Sequence, residues 1–190
     1  KMIGVVSGNV LSLNDGDNLF SFISRFQRKL HHELCLYLRR RNFPTKVNGT
    51  FFAVRREVVK RFPYNMVSDD EYASWCAQTQ GYKVVYVPEA VVYTKDPTNF
   101  KDHISKRRRI LGGHFLIKKS LKYTVPTTNI MTVSANFLRL AFKHWRKMRH
   151  IVIMTFIELL CWGLAVYDVN MGKVSNQYRV DSAKFTSKGI

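Results

Sequence analysis

Apolar and polar residues alternate with two different periods along the first 120 residues of the chain. Short apolar segments bounded by Gly, Pro, Asn or Asp have the pattern of β-strands, whose side chains repeat at every second residue. The segments predicted as strands are Met2–Val6, Asn9–Ser12, a buried Phe51–Val54, Lys83–Val87 and Ala90–Tyr93. Pro88 separates the last two, because proline cannot donate a hydrogen bond to a neighbouring strand.

Helical spacing of apolar residues, three or four positions apart, occupies the segments between these strands. The predicted helices are residues 18–40, Glu57–Arg61, a segment from Asp69 or Asp70 to about Gln80, and a segment with Pro97 in its first turn that carries Lys106–Arg109. Gly81 suits the end of the third helix, and Gly112-Gly113 loosens the fourth. Because strands and helices mix, residues 1–120 are predicted to form an α/β domain.

The pattern changes after Pro126, where long apolar segments replace the mixture. Ile130–His150 has apolar residues set among arginines and lysines, and Ile151–Tyr167 is almost entirely apolar with Glu158 near its middle. This order is typical of a membrane-interface helix that runs into a spanning or re-entrant one. A helix buried against the preceding domain is the alternative, because an unpaired Glu158 would cost about 2–3 kcal/mol in a bilayer. The predicted units are residues 1–120, residues 127–169 and a basic tail, residues 170–190.

Basic residues far outnumber acidic ones, with 31 Lys and Arg against 13 Asp and Glu and a formal net charge of +18. Such an excess favours an anionic partner: a nucleic acid, an acidic membrane surface or a phosphorylated substrate. Against a nucleic-acid-binding module, the aromatic residues follow core periodicity, and the sequence has no helix-turn-helix or zinc-finger pattern. A peripheral membrane anchor formed by Ile130–Tyr167 is a third interpretation.

The three cysteines, Cys35, Cys76 and Cys161, lie in apolar segments without a CxxC pair or a His at zinc-ligand spacing. We therefore expect buried free thiols and a reducing, cytosolic setting. The chain opens inside a predicted strand with no initiator methionine, so we expect a fragment of a longer protein.

Acidic residues concentrate at the start of one predicted helix, in the block Ser68–Gly81, which reads SDDEYASWCAQTQG. Asp69, Asp70 and Glu71 can simply cap this helix, whose macrodipole stabilises nearby negative charge. The alternative is a catalytic base that takes a proton from an attacking hydroxyl group, which requires an ionised carboxylate. In that case we expect the helix N-terminus to lower the pKa of the base and to keep it ionised.

Basic residues concentrate in the block Lys106–His114, which reads KRRRILGGH. Successive helical residues turn by about 100°, so the four adjacent cations cannot all face one cleft. One or two of them can bind the oxygens of a diphosphate leaving group, while the others face solvent or a membrane. A solvated basic face is the alternative, and a lone histidine such as His114 is more often structural than catalytic.

Three blocks in a fixed order, Gly49–Arg56 (GTFFAVRR), Ser68–Gly81 and Lys106–His114, resemble the second half of the family 2 glycosyltransferases. Gly81-Tyr82 follows at the end of the second block and Pro88-Glu89-Ala90 precedes the third, as in that family, and the resemblance covers about residues 1–115. It implies part of a GT-A fold, a Rossmann-like α/β architecture, followed here by the amphipathic and apolar helices.

The resemblance also implies roles for eight residues. These are, for catalysis, Asp70 as general base with Asp69 beside it; for the donor diphosphate, Arg109, Arg108 and Lys106; and for the acceptor-side cleft, Gly49, Arg55 and His114. Two departures concern residues that line the acceptor path of processive synthases: Lys106 replaces the family's Gln, and Ile110 replaces its Trp. They favour a transferase of single sugars.

The implied reaction transfers a sugar, with inversion, from a nucleotide-diphosphate sugar to a hydroxyl group of a glycan or a lipid-linked acceptor. The family's Mg²⁺ or Mn²⁺ is held by an Asp-x-Asp that we expect upstream of residue 1, and Asp15-Gly16-Asp17 has these letters in the wrong setting. We expect this chain alone to be inactive, and the enzyme to be membrane-associated on the cytoplasmic face. The remaining alternative is a basic nucleic-acid- or membrane-binding module without catalytic activity.

Overall fold

The computed structural model describes residues 2–16, 18–63, 67–126 and 130–174. In these ranges the strands are β1 (Ile3–Ser12), β2 (Phe52–Val54) and β3 (Lys83–Thr94), and the α-helices are α1 (Leu19–Arg40), α2 (Asp69–Thr79), α3 (Phe100–Leu121), α4 (Ile130–Lys143) and α5 (Met148–Asn170). A 3₁₀ turn, Trp145–Lys147, joins the last two helices. The described residues confirm the predicted α/β fold followed by amphipathic and apolar helices.

β1 is the central strand of a three-stranded sheet with the order β2-β1-β3. It pairs antiparallel with β2 and parallel with β3, so that Val5 lies opposite Val54 on one side and Val84 on the other. Val5 and Val84 are buried beneath α2, because both faces of a parallel pair are covered by the crossing helices. β2 lies at the edge of the sheet and is only partly buried, so the predicted full burial of this strand is wrong.

A register shift allows both long strands to remain continuous. Gly8 lies opposite Val87, but the next residue, Asn9, lies opposite Val91. The residues of β3 between these partners, including Pro88, therefore form an irregular bulge in this edge strand. The sequence predicts each of these strands as two pieces, and both predictions are wrong. β1 is continuous from Ile3 to Ser12, and the bulge in β3 accommodates Pro88 without ending the strand.

The sequence predicts the end of α2 correctly but not the start of α3. Oδ1 of Asn99 accepts a 3.0 Å hydrogen bond from the N–H of Asp102 and caps α3. α3 therefore begins at Phe100, and the predicted position of Pro97 in its first turn is wrong. α2 is followed by Gly81, whose φ of +79° suits a glycine at a helix C-terminus, as predicted.

Gly112 and Gly113 are buried inside α3, which continues to Leu121, so the predicted loosening of this helix is wrong. A Cβ atom on Gly113 would lie 2.1 Å from Oγ of Ser68. The glycine therefore permits α3 to lie close to the start of α2. The helix predicted at Glu57–Arg61 is also wrong, because the described segment contains a turn instead.

α5 packs one face against the domain and leaves the other face exposed. Its buried apolar residues, in one core with Phe22 of α1 and Leu111 of α3, are Ile151, Met154, Ile157, Cys161 and Ala165. Glu158 forms an ion pair with Arg107 of α3, so it is not the unpaired charge considered above. By length and composition alone, the helix Trp145–Asn170 could still cross a membrane, which is weak evidence of membrane association.

Three smaller predictions have different outcomes. Cys35, Cys76 and Cys161 are all buried and free, as predicted. Ile130–His150 is not one helix, because the 3₁₀ turn divides it. Residues 175–190, most of the predicted basic tail, lie outside the described residues, and the unit boundaries stay predictions.

Candidate functional site

A cavity of about 420 Å³ lies between α1, α3, the start of α2 and the loop before β2. Six of the eight predicted site residues line it, namely Gly49, Asp69, Asp70, Lys106, Arg109 and His114. The other lining residues are Ser24, Gln27, Arg28, His31, Lys46, Asn48, Thr50, Val67, Ser68, Asp96, Pro97, His103, Arg107 and Ile110. The three sequence blocks therefore meet at one cavity.

Asp70 stands at the first turn of α2 and is held there by the loop before β2. The N–H of Gly49 donates a 3.0 Å hydrogen bond to Oδ2 of Asp70. A Cβ atom on residue 49 would lie 3.2 Å from the same oxygen, so a glycine suits this close approach. Oδ1 of Asp69 accepts a 3.2 Å hydrogen bond from the N–H of Asp70. The hydrogen bond from Gly49 to Asp70 therefore joins the first sequence block to the second.

Burial raises the pKa of the Asp70 carboxyl group above its usual value. The cation of Lys46 opposes this effect, Asp69 adds to it, and the N–H groups of Glu71 and Gly49 oppose it. The sequence predicts the opposite direction, a pKa lowered by the helix N-terminus. That prediction is wrong because the cost of desolvating the carboxylate outweighs the N–H groups. A raised pKa makes the ionised carboxylate a stronger base.

Lys46 links the loop before β2 to both α2 and α3. Its Nζ atom lies 3.1 Å from Oε1 of the fully buried Glu71 and donates a 2.8 Å hydrogen bond to Nε2 of His114. Burial raises the pKa of Glu71 to about 7, although Lys46 opposes the change. Burial, with Lys46 and Arg107, lowers the pKa of His114 well below its usual value, so a neutral imidazole accepts the bond. Lys46 therefore holds the loop before β2 against α3 and against the start of α2, where Asp70 lies.

A second charged cluster lies where β3 leads into α3. Oδ1 of Asp96 lies 2.6 Å from Nζ of Lys106 and 2.9 Å from Nη2 of Arg28. Burial alone would raise the pKa of Asp96, but Lys106 and Arg28 lower it to about 2. Two hydrogen bonds of 2.9 Å join the main chain of Asp96 to the side chain of Asn14. Two cations on one carboxylate leave this part of the cavity positive.

The helical turn of α3 directs some side chains of the basic block into the cavity and others away from it. Lys106, Arg107 and Arg109 line the cavity. Arg107 also reaches Glu158 of α5 through two nitrogens of its guanidinium group. Two cations of the cavity lining, Lys106 and Arg107, are therefore held by carboxylates from other elements.

Two of the predicted site residues lie elsewhere. Nη2 of Arg108 lies 2.7 Å from Oδ1 of the buried Asp168, on the side of α3 that faces α5. Nε of Arg55 donates a 2.6 Å hydrogen bond to the carbonyl oxygen of Ile3, and its guanidinium lies 3.5 Å from Glu57. Neither side chain lines the cavity, because helix geometry in one case and the edge of the sheet in the other turn it away.

Five charged residues around the cavity belong to no predicted site, namely Arg28, Lys46, Glu71, Asp96 and Arg107. Asp96 follows the carboxyl end of a parallel strand, where α/β sheets place ligands, and this signal could have found it. Lys46 lies in the same loop as Gly49, which is a weaker signal. Arg28 looks like any basic residue on the polar face of α1, and only its contact with Asp96 distinguishes it.

The ligands of Mg²⁺ or Mn²⁺ are predicted upstream of residue 1, and the described residues offer no alternative site for the ion. No three His, Cys, Asp or Glu side chains among them are arranged to hold a metal ion. The carboxylate of Asp96 already pairs with the side chains of Arg28 and Lys106. The carboxylate of Asp70 accepts the hydrogen bond from Gly49. In Asp15-Gly16-Asp17, Asp17 lies outside the described residues. No residue in the described ranges is therefore assigned to a metal.

The region from β1 to the end of α5 matches one family. The model of the family described as Glycosyl transferase family group 2 matches residues 2–170. The chain belongs to this glycosyltransferase family. No curated protein matches the chain. Membership confirms the resemblance of the three blocks, and it implies a nucleotide-sugar donor and an acceptor for this glycosyltransferase.

Proposed function

We propose that this glycosyltransferase transfers a sugar from a nucleotide-diphosphate sugar to an acceptor hydroxyl group with inversion at the anomeric carbon. The observation that carries the proposal is that Asp70 shares one cavity with Lys106 and Arg109. The reaction handles two charges, the proton of the acceptor and the negative diphosphate of the donor. A carboxylate and a group of cations in the same cavity match these two charges.

In the proposed step, the carboxylate of Asp70 accepts the proton of the acceptor hydroxyl group. The hydroxyl oxygen attacks the anomeric carbon, and the bond from that carbon to the diphosphate oxygen breaks. The electron pair leaves with the nucleoside diphosphate, whose charge Arg109 and Lys106 stabilise. Attack from the side opposite the leaving group inverts the configuration. Asp69 supports Asp70 through the hydrogen bond to its N–H.

The supporting residues act by position. Lys46 holds His114 and Glu71, and it opposes the rise in the pKa of Asp70, which favours the ionised carboxylate. Gly49 holds the carboxylate through its N–H. Mg²⁺ or Mn²⁺ remains the expected cofactor and would neutralise charge on the donor diphosphate. Its ligands are not assigned to the described residues.

Three finer features belong to the proposal: transfer of single sugars, a lipid-linked or envelope glycan as acceptor, and attachment to the cytoplasmic face of a membrane. Lys106 and Ile110 both line the cavity, in place of the Gln and Trp of processive synthases, which supports transfer of single sugars. The exposed apolar face of α5 supports membrane attachment and a lipid-linked acceptor. Family membership favours this enzyme over a nucleic-acid-binding module.

A product analysis tests this proposal. Membranes that contain the full-length enzyme are given a panel of labelled nucleotide-diphosphate sugars, and the released nucleotide and the lipid-extractable product are measured. We expect one labelled sugar per acceptor and an anomeric configuration opposite to that of the donor, as read by NMR coupling. A retained configuration would contradict the inverting step, and a long polymer would contradict single transfer. Absence of transfer from every donor would contradict the proposed transferase activity.

A further inference from the structure

α5 is attached to the domain along its whole length. Its buried positions run from Ile151 to Asp168 and recur every three or four residues, so they form a single stripe. At about 1.5 Å per residue this stripe is about 26 Å long. It therefore covers nearly the whole length that a helix needs to cross the hydrocarbon core of a bilayer, about 30 Å.

Two ion pairs fasten this stripe to α3. Arg107 binds Glu158, and Arg108 binds Asp168, which is only 2% exposed. Glu158 and Asp168 are the only acidic residues in the sequence from residue 130 to residue 170. Both carboxylates face the domain, so a spanning α5 would have to break these pairs and carry both charges into lipid.

The opposite face of α5 is apolar and open. Phe156, Leu159 and Trp162 are 69%, 64% and 50% exposed. On α4, Leu138 and Phe142 are also exposed, at 54% and 72%. All of these side chains except Trp162 line a shared apolar groove between the two helices. A continuous apolar surface of this kind on two neighbouring helices marks an interaction site.

Charge and aromatic residues indicate which partner this surface suits. The exposed Lys143, Arg146 and Arg149 stand where α4 meets α5, and the exposed Trp145 lies among them. Basic residues beside an apolar face and tryptophans at its border are typical of helices that lie in the headgroup region of an anionic membrane. The absence of outward-facing acids on the described part of α4 and α5 fits the same surface.

We propose that α4 and α5 form a docking face that lies flat on an anionic bilayer, with α5 parallel to the membrane plane and not across it. The inference rests on the proposed membrane attachment and specifies its geometry. α3 carries both the cavity residues Lys106 and Arg109 and the arginines that bind α5. The docking face would therefore hold the cavity at a fixed height above the lipid surface, as a lipid-linked acceptor requires.

A depth measurement tests the orientation directly. Val152 and Val166 are both exposed on α5 and lie about 21 Å apart along the helix axis, at 1.5 Å for each residue. Val152→Cys and Val166→Cys are each spin-labelled in the full chain, bound to vesicles of phosphatidylcholine and phosphatidylglycerol, and their depths are read by collision with lipid-soluble and water-soluble relaxants. Equal depths are expected. A large difference in depth, or labels on opposite leaflets, would overturn the proposal. Unsubstituted protein, whose cysteines are buried, gives the background.

Vesicle binding tests the surface itself. The double variant Phe156→Ser/Leu159→Ser should lose roughly tenfold or more in partition to these vesicles, since two large apolar side chains no longer enter lipid. Phe43→Ser, at another exposed phenylalanine, is the matched control and should bind as the unsubstituted chain does. Equal loss in both variants, or dimerisation through this face without vesicles, would overturn the proposal. Binding is measured without donor or acceptor, so its failure is separate from failure of the transfer reaction.

Discussion

The N–H of Gly49 donates a 3.0 Å hydrogen bond to Oδ2 of Asp70, across 21 residues of sequence. This bond connects the loop before β2 to the first turn of α2, and it fixes the carboxylate that we assign as the base. The orientation of Asp70 therefore depends on a backbone group of the loop as well as on its own helix. A substitution at Gly49 should consequently affect catalysis more than stability.

Gly49→Ala should separate these two effects. The new Cβ atom would lie 3.2 Å from Oδ2 and 3.3 Å from Cγ of Asp70, so the carboxylate must shift by a few tenths of an ångström. We expect kcat to fall about tenfold, because small displacements of a reacting group are costly. The free energy of unfolding should change by less than about 1 kcal/mol. Gly163→Ala is the control, since its Cβ would meet nothing within 4 Å. Unchanged kcat in Gly49→Ala would show that the contact does not position the base.

Lys46→Met should destabilise the domain and shift the pH profile. The side chains of Lys46 and Glu71 are 14% and 0% exposed, so the change leaves a buried carboxyl group without its cation. We expect a loss of about 2–3 kcal/mol in urea unfolding, reduced from the usual cost because Glu71 can take up a proton. Lys46 opposes the rise in the pKa of Asp70, so the acid limb of the kcat profile should move to higher pH.

Two further variants check this interpretation of Lys46. Lys46→Met/Glu71→Gln removes the buried charge and should recover part of the lost stability. Lys29→Met, whose exposed ammonium lies 3.3 Å from Glu33, should change stability by less than about 0.5 kcal/mol. A loss in Lys29→Met as large as that in Lys46→Met would argue against a specific buried pair.

Mild acid should destabilise the domain through its buried histidines. Burial lowers the pKa of His31 to about 3 and that of His103 to about 4, and it lowers the pKa of His114 well below its usual value. In the unfolded chain these groups titrate near 6.5, so the unfolded state binds more protons as the pH falls from about 6.5 towards 4. Stability is then lost over this range. The raised pKa of Glu71 has the opposite sign between about 4.5 and 7 and offsets one histidine.

Urea midpoints measured between about pH 7 and pH 4.5 check this prediction, because this range spans the usual pKa values of His and Glu. His103→Gln removes one titrating group, so its midpoint should depend less steeply on pH than that of the unsubstituted chain. His144→Gln, the same change at an exposed histidine, is the matched control. An identical slope in His103→Gln would contradict the assignment.

Local patterns predicted most of the fold, because the spacing of apolar residues within a segment distinguishes a helix from a strand. The spacing from Leu19 to Tyr37 predicted α1, and Gly81 predicted the end of α2. The errors occur where distant contacts decide. Pro88 is accommodated by a bulge against β1, and Gly113 is needed inside α3 because Ser68 lies against it. Neither contact is visible in the sequence around the residue itself.

The site was predictable as far as it consists of contiguous blocks. Asp70, Arg109 and Gly49 lie in such blocks, and they meet at the cavity. The charges that hold these blocks together come from isolated positions. Lys46 and Asp96 belong to no motif, and their importance follows only from contacts with residues far along the chain. The direction of the pKa shift of Asp70 was mispredicted for the same reason, since burial is a property of the assembled domain.

The most direct test of the central claim compares Asp70→Asn with Asp102→Asn, the same change at a carboxylate outside the cavity lining. Donor binding and single-turnover transfer are measured for both variants in the full-length enzyme. We predict that Asp70→Asn binds the donor normally but transfers at least about 10²-fold more slowly, as expected for loss of a general base. Asp102→Asn should transfer at nearly the normal rate. Transfer by Asp70→Asn at the rate of the unsubstituted enzyme would contradict the assignment of Asp70 as the base.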